Sequence, residues 1–274
     1  MVTKPETTGP DSVAERELAY YENLYSGCGL EHFAKPAVVA FREYLIRRIL
    51  RVTGAGPTTK VLSIGCGLGD TELMLARHVA HITGVDLSTA AIREANRAAS
   101  GARVTNVRFL QESWQNLTLS EPFDLVLAIF FLHHLPDADL ASFARQVLPL
   151  VGRVAHFYAL EPNSTRLSGF LGQLMVPGLM KKYQTEDERQ LAPTPTAAPF
   201  LDAGLHVETR WFDFCSTPLA GLFPGWAAGY RFARSLDNAL ITIPGLRILS
   251  SNFELIAYRP RGSEDGGTKP RNRK

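Results

Sequence analysis

The sequence predicts an α/β protein built on a doubly wound, mostly parallel sheet. Short apolar runs that suit strands alternate with longer runs of helical periodicity, as in parallel strands joined by helices. An apolar run at 61–64 is followed by a glycine-rich turn, a helix-like run at 71–79, and a second apolar run at 82–85 that ends at Asp86. The run 123–129 is mainly apolar, as expected of a central parallel strand that is buried on both faces.

The rest of the chain continues this alternation. Further strands are predicted at 104–110, 154–160, 205–214 and 252–258. Further helices are predicted at 33–52, 90–99, 138–148 and 196–203. Ser88 stands before the second of these helices and is a suitable N-cap.

The turn after the first predicted strand holds glycines at positions 65, 67 and 69. Glycine permits a tight turn and lets a ligand touch the backbone where a Cβ would clash. Free N–H groups at the start of the next helix favour an anionic group. Asp86, at the end of the second strand, can accept hydrogen bonds from two ribose hydroxyls. Turn, helix and terminal acid together predict a nucleotide-type pocket.

Asp70 narrows the choice of ligand. It stands where a dinucleotide site has a third glycine, and a carboxylate there would repel a pyrophosphate. A ligand without phosphate and with a cationic centre is better tolerated, and S-adenosylmethionine, which carries a sulfonium, is such a ligand. The turn Gly65-Cys66-Gly67-Leu68-Gly69 resembles the first motif of class I S-adenosylmethionine-dependent methyltransferases.

A second resemblance lies around the fourth predicted strand. The Phe-Asp pair at 123–124, the apolar strand and the His-His-Leu turn at 133–135 resemble the fourth motif of small-molecule methyltransferases. Amine and nucleobase enzymes of the family often carry Asp/Asn-Pro-Pro-aromatic here. This chain has Ile-Phe-Phe-Leu at 129–132, which counts against methylation of adenine or cytosine nitrogens.

The resemblance implies a seven-stranded, Rossmann-like methyltransferase fold with an antiparallel last strand and helical inserts near the active-site edge. It implies that Asp86 holds the ribose, that Leu87 packs on the adenine, and that Ile129 lies under the methionine arm. The backbone contacts to the methionine part are expected from Gly65, Cys66, Gly67 and Gly69. Further adenine contacts are expected near the end of the third strand, from Glu112, Ser113 and Trp114.

Three side chains are candidate catalytic groups. His133 and His134 could act as a general base, because histidine titrates near neutral pH. Glu161 follows the fifth strand and could be a base or orient the acceptor. The alternative is that the histidines cap the strand and shape the pocket, while Glu161 binds a neighbouring loop.

The chain is predicted to form one methyltransferase domain at 14–260. Disordered segments are expected at 1–13 and 261–274. By the resemblance, the segment 14–57 is a helical lid over the cofactor, and Tyr20, Tyr21, Tyr25 and His32 could line the pocket. Apolar inserts are predicted at 164–200 and 215–250, either as an acceptor cap or as helices packed on the sheet or in a dimer interface.

Composition excludes several other classes of protein. The 274 residues are 45% hydrophobic and 20% charged, with a formal charge of +2, and no basic stripe indicates a nucleic acid partner. Three cysteines without paired spacing predict neither a disulfide framework nor a metal site. No signal peptide or membrane span is evident. We therefore expect a cytoplasmic protein, with peripheral membrane contact through 215–250 as an open alternative and the oligomeric state undetermined.

The resemblance implies transfer of a methyl group from S-adenosylmethionine. Because the inserts are apolar and no nucleic-acid surface is evident, we expect a small-molecule or lipid-like acceptor that is methylated at a hydroxyl oxygen. The main catalytic contribution would be the in-line orientation of the reacting groups. Two alternatives stay open at this point. One is a non-catalytic S-adenosylmethionine-binding partner subunit, and the other is an NAD(P)-dependent oxidoreductase.

Overall fold

The computed structural model describes residues 13–26, 31, 33–117, 122–169, 189 and 191–259. The expectations for residues 1–12, for His32 and for the tail 261–274 lie outside the described residues. So does most of the predicted insert 164–200, together with the side chain of Tyr21.

Strands and helices alternate over most of the described chain. The strands are β1 (Lys60–Ile64), β2 (His81–Asp86), β3 (Val107–Gln111), β4 (Phe123–Ile129), β5 (Val151–Pro162), β6 (His206–Asp213) and β7 (Asn252–Tyr258). The helices are α1 (Val13–Ser26), α2 (Pro36–Thr53), α3 (Asp70–Leu75), α4 (Thr89–Gly101), α5 (Asp137–Leu150), α6 (Pro193–Asp202), α7 (Ser216–Leu222) and α8 (Ala227–Leu240). Short 3₁₀ turns follow β3, β4 and α8, at Trp114–Asn116, Leu132–His134 and Leu246–Leu249.

The strands form one seven-stranded sheet in the order β3-β2-β1-β4-β5-β7-β6. The first five strands are parallel, and β7 runs antiparallel to both of its neighbours. The predicted doubly wound sheet with an antiparallel last strand is therefore confirmed. The chain order reverses between β1 and β4, and a crevice for a ligand opens at the carboxyl ends of the strands at such a point.

The sheet separates two apolar layers. The side chains of β4 are buried on both faces: Val126 and Ala128 join the layer that holds Phe143, whereas Leu125 and Leu127 join the layer that holds Phe41. Each large side chain that is buried in this way contributes about 1.5–3 kcal/mol. The strands whose ends form the crevice are therefore held firmly by the core on both faces.

The helix after the glycine turn is shorter than the sequence predicts. It ends at Leu75 instead of continuing to residue 79. The side-chain amide of Asn106 donates hydrogen bonds to the carbonyls of Ala76 and Val79, at 2.9 and 3.1 Å. These carbonyls are satisfied from outside the helix, so the chain can leave the helical path without a cost in hydrogen bonding.

The segment between β6 and β7 is helical and packs on the sheet. The carboxylate of Asp237, from α8, accepts hydrogen bonds from the backbone N–H groups of Cys215 and Ser216, at the start of α7. Arg234, also on α8, lies over the ring of Tyr44 on α2, with 4.5 Å between its guanidinium carbon and the ring centroid. Within the described ranges, no helix is both long and apolar enough to cross a membrane.

Candidate functional site

A cavity of ≈ 580 Å³ opens at the carboxyl ends of β1, β2 and β4, where the strand order reverses. Its size is in the range of small-molecule sites. Its wall is formed by residues between 18 and 139, from α1 to the first turn of α5. The lining residues are Leu18, Tyr25, Phe33, Arg42, Ser63, Ile64, Gly65, Cys66, Gly67, Leu68, Asp70, Thr71, Glu72, Val85, Asp86, Leu87, Ser88, Glu112, Ser113, Trp114, Gln115, Ile129, Phe130, Phe131, His134, Leu135, Pro136 and Asp139.

The glycine turn forms the floor of the cavity. The N–H groups of Gly65 and Cys66 both donate to the carbonyl of Val85, at 2.9 and 3.1 Å, which fixes the turn against β2. Gly65 has φ = +70°, and a Cβ there would overlap the ring of Phe131. Only glycine fits this position, for reasons of both backbone conformation and space.

Asp86 is held in place by two backbone donors. Its Oδ2 accepts from the N–H of Gly67 at 2.8 Å, and its Oδ1 accepts from the N–H of Ser88 at 2.9 Å. Burial raises the pKa of this carboxyl, and the two N–H groups oppose that rise. Each oxygen keeps a lone pair for a further donor. The carboxylate is thus held with room for two further donors, as the predicted contact with a ribose requires.

Acidic groups dominate the charge of the cavity wall. Asp70, at the start of α3, forms an ion pair with Arg42 from α2. Burial raises the pKa of Asp70, and Arg42 opposes this rise. The carboxyl of Asp70 itself occupies the start of this short helix, where the sequence predicted a place for an anion. The wall therefore favours a cationic ligand over a phosphate.

Glu72 is a wall residue that the sequence analysis did not single out. It is 2% exposed, and its Oε1 accepts a hydrogen bond from Ser63 Oγ at 2.6 Å. Burial raises its pKa to about 7, while the hydrogen bond from Ser63 opposes that rise. The sequence alone does not predict that Glu72 is buried at the site, because a single acidic residue in a helix is commonly exposed to solvent.

The residues predicted near the adenine, Leu87, Glu112, Ser113 and Trp114, all line the cavity wall. The N–H of Glu112 donates to the carbonyl of Asp86, which brings the two segments together. Ser113 Oγ accepts from the N–H of Gln115 and so caps the following turn. The ring of Trp114 packs edge-on against Phe143, with 5.3 Å between the centroids. Trp114 therefore joins the cavity wall to the core.

Gly69 lies away from this group. It is absent from the cavity wall, and a Cβ on it would overlap the ring of Phe109 beneath the turn. The structure therefore shows a packing reason for glycine at this position, and the backbone contact to the ligand stays a prediction. Ile129, at the end of β4, lines the cavity, and its place under the methionine arm stays a prediction.

The three candidate catalytic groups separate into a buried pair and a wall residue. Glu161 is fully buried, and its Oε1 accepts from the N–H groups of Phe131 and Leu132, at 3.0 and 2.7 Å. Its Oε2 lies 2.7 Å from Nδ1 of His133. Because neither residue lines the cavity, this geometry suits positioning of the 131–134 turn better than direct contact with an acceptor. His134 does line the cavity.

Helix α1 covers part of the site. Leu18 and Tyr25 line the cavity, and the Tyr25 hydroxyl lies 3.0 Å from the point where a Cβ on Gly67 would stand. Glu22 accepts from the N–H of Ala90 at 3.2 Å, which docks α1 onto the start of α4. Tyr20 is half-buried but does not line the cavity. Burial raises the pKa of the Tyr25 phenol, with Asp86 adding to the rise.

Within the described segments, no cluster of three or more His, Cys, Asp or Glu side chains could hold a metal ion. The fit of S-adenosylmethionine can be judged from the wall itself. An acid-rich wall suits a sulfonium and an ammonium, the two N–H-anchored oxygens of Asp86 suit a ribose, and glycines leave the backbone accessible. The residues present fit that cofactor.

Comparison with known proteins agrees with this geometry. A family model described as a methyltransferase domain matches residues 61–152. The ubiquinone biosynthesis O-methyltransferase of Albidiferax ferrireducens is 36% identical over 194 residues, which cover 66% of this chain and 74% of that protein. The protein of the same name from Acinetobacter baylyi is 26% identical over 200 residues, covering 72% of this chain and 84% of its own.

Solved structures share the fold. The complex of DhpI with SAH aligns with a TM-score of 0.57 at 16% identity and covers 92% of this chain and 100% of its own. Magnesium protoporphyrin IX methyltransferase from Synechocystis PCC 6803 with bound SAH has a TM-score of 0.57 at 14% identity and covers 89% and 100%. These likenesses show the fold. The sequence relatives show that the chain belongs to the class I S-adenosylmethionine-dependent methyltransferases and is an enzyme that uses S-adenosylmethionine.

Proposed function

We propose that this enzyme methylates a hydroxyl oxygen of a small, largely apolar molecule. The observation that carries the proposal is the composition of the cavity wall beyond the glycine turn and Asp86. In that part Leu18, Phe33, Phe130, Phe131, Leu135 and Pro136 contribute an apolar surface, beside the polar side chains of Gln115, His134 and Asp139. Curated relatives named ubiquinone biosynthesis O-methyltransferases support oxygen as the acceptor atom.

The cofactor supplies a methyl group that is already activated by the sulfonium. The protein therefore mainly has to hold the acceptor in line, and orientation of this kind can contribute about 7 kcal/mol or more. In this proposal Asp86 holds the ribose, Ile129 and the glycine turn support the methionine arm, and α1 acts as a lid. Gly65, Cys66 and Gly67 line the cavity, as does Leu68, and we assign the backbone contacts to the first three.

His134 is the residue to which we assign removal of the acceptor proton. It lies on the cavity wall beside the apolar part, whereas His133 and Glu161 are buried behind it. Phe130, next to the strand end, has φ = +52°, an unusual conformation for a bulky residue. Such strain is found where a turn must aim side chains at a ligand. We assign His133 and Glu161 the task of holding this turn.

The proposal also includes contact with an anionic bilayer through 215–250. The exposed side of α7, α8 and the following turn carries Phe223, Trp226 and Phe232, and Phe232 is 76% exposed. Arg231 and Arg247 are exposed on the same segment, while its acid, Asp237, is buried. Exposed aromatics with arginines and no exposed acid suit an interfacial helix on negatively charged lipid.

The experiment is a methyl-transfer assay with a panel of apolar catechols, phenols and aliphatic alcohols, followed by mass spectrometry of the products. We expect O-methylation of at least one phenol and a fall of about 100-fold or more in kcat with His134→Gln. Methylation of amines or of RNA in place of hydroxyls would refute the proposal. An unchanged kcat in His134→Gln would remove that residue as the base.

A further inference from the structure

The buried carboxyl of Glu72 is incompletely satisfied. Helix α3 places it behind the glycine turn, against the end of β1, where Ser63 Oγ donates to its Oε1. Its Oε2 accepts no hydrogen bond within the part of the chain that the structure describes. A buried carboxyl oxygen without a donor costs about 1–3 kcal/mol or more, so this arrangement is expected to serve a ligand that brings one.

The charges around Glu72 do not neutralise it. Besides burial, Asp70, on the same helix, raises the pKa of Glu72, and Arg42 of α2 lowers it by less. Besides burial, Glu72 in turn raises the pKa of the Cys66 thiol on the turn. The nearby cation is Arg42 of α2, which forms its ion pair with Asp70 and donates to Thr71. Among the described residues, Glu72 therefore has no cation paired directly with it. The negative charge that remains unneutralised lies at the cavity wall.

We propose that Glu72, oriented by Ser63, is the counter-charge that binds the α-ammonium group of S-adenosylmethionine. The inference rests on the cofactor site described under the proposed function. An ammonium group brings three donors and a full positive charge, which are what Oε2 and the unneutralised carboxylate lack. In a cavity of low dielectric this attraction is much stronger than in water.

The opposite charge of the same ligand also finds a partner. Among the described wall residues, Arg42 is the one lysine or arginine. It approaches the methionine end from α2 and is placed to interact with the α-carboxylate, in addition to Asp70. The wall thus offers both signs of charge where the amino-acid end of the cofactor is expected. A ligand without that end gains nothing from Glu72.

This difference gives the test. The affinities of S-adenosylhomocysteine and of 5′-methylthioadenosine, which keeps the adenosine and lacks the amino acid, are measured by calorimetry on wild type and Glu72→Gln. We expect the Kd of S-adenosylhomocysteine to rise about 10- to 100-fold, the loss of a charge-assisted hydrogen bond. The Kd of 5′-methylthioadenosine should stay within about twofold.

Glu112→Gln is the matched control, because it removes an acid from the adenine end that both ligands share. It should change the two affinities by the same factor. Equal losses for both ligands in Glu72→Gln would mean general damage to the site and would overturn the inference, as would no loss for either. Failure of wild type to bind S-adenosylhomocysteine would remove the cofactor site as well, whereas failure to methylate phenols would leave this inference standing.

Proton release is an independent readout. Pairing with an ammonium lowers the pKa of Glu72, which burial has raised to about 7 in the free protein. At pH 7, binding of S-adenosylhomocysteine should therefore release about half a proton, measurable in buffers of different ionisation enthalpy. The release should vanish in Glu72→Gln and for 5′-methylthioadenosine on wild type. An undiminished release in Glu72→Gln would place the titration on another group and refute the assignment.

Discussion

Substitution of Glu72 by glutamine should stabilise the ligand-free protein while it weakens cofactor binding. Glutamine keeps the acceptor for Ser63 Oγ but carries no titratable proton. In wild type the folded carboxyl has a pKa of about 7, whereas its ordinary value is 4.5. Between these values the folded protein holds a proton that the unfolded chain releases, so the stability of wild type falls as the pH rises through this window.

The size of the effect follows from the same two values. One unit of difference in pKa corresponds to about 1.4 kcal/mol, so the change from 4.5 to about 7 sets a ceiling of about 3 kcal/mol. Little of this cost is present at pH 4.5, and all of it is present above pH 7. Relative to wild type, Glu72→Gln should therefore gain about 2–3 kcal/mol in unfolding free energy between pH 5 and pH 8.

Urea unfolding of both proteins at pH 5 and pH 8, without cofactor, measures this gain by linear extrapolation. Comparison of two pH values removes any constant effect of the substitution on packing. Glu112→Gln, at an exposed acid of the same cavity, is the control and should show no such dependence. A relative stability of Glu72→Gln that does not rise with pH would refute the reasoning, because Glu72 would then be ionised at little cost.

Three further predictions test other parts of the molecule. Gly65→Ala should abolish cofactor binding and destabilise the fold by about 1–3 kcal/mol, because the residue has a positive φ and its new Cβ would overlap the Phe131 ring. Calorimetry and urea unfolding measure the two effects, and near-wild-type binding would contradict the prediction. Glu161→Gln should destabilise the protein by about 2–4 kcal/mol, because an amide cannot accept all three of the contacts that the carboxylate makes; thermal and urea unfolding measure the loss, and unchanged stability would contradict the positioning role. Phe232→Ser should reduce sedimentation with anionic vesicles at least about threefold relative to Leu201→Ser. Leu201, on α6, is the control because its side chain is also exposed, at 52%. Equal sedimentation of the two variants would contradict the membrane contact.

The argument from Asp70 to a cationic ligand reached the right class of ligand for an incomplete electrostatic reason. Asp70 was expected to act as an isolated carboxylate that repels phosphate. It is ion-paired with Arg42, so its own charge is largely compensated. The cationic preference comes instead from the sum of Glu72, Asp86 and the remaining acids of the wall.

The sequence by itself determined the sheet, its central strands and the glycine turn with Asp86. These features are local, because each can be recognised from a few consecutive residues. They are an apolar run, a residue that must adopt positive φ, and an acid at the end of a strand. The parallel order and the reversal at β1 and β4 follow from such elements by general rules of connection. For the same reason the predicted adenine residues and Ile129 meet at one cavity.

Only the tertiary structure decided which charges meet there. Arg42 reaches the cavity from a helix that is 28 residues before Asp70 in the chain, and Glu161 binds a turn about 30 residues before it. The sequence could not separate the two adjacent histidines, whereas the structure buries His133 and places His134 on the cavity wall, and our proposal of a base rests on that difference. Burial of Glu72 was equally invisible, because its pKa depends on the surfaces that pack around it rather than on its neighbours in the chain.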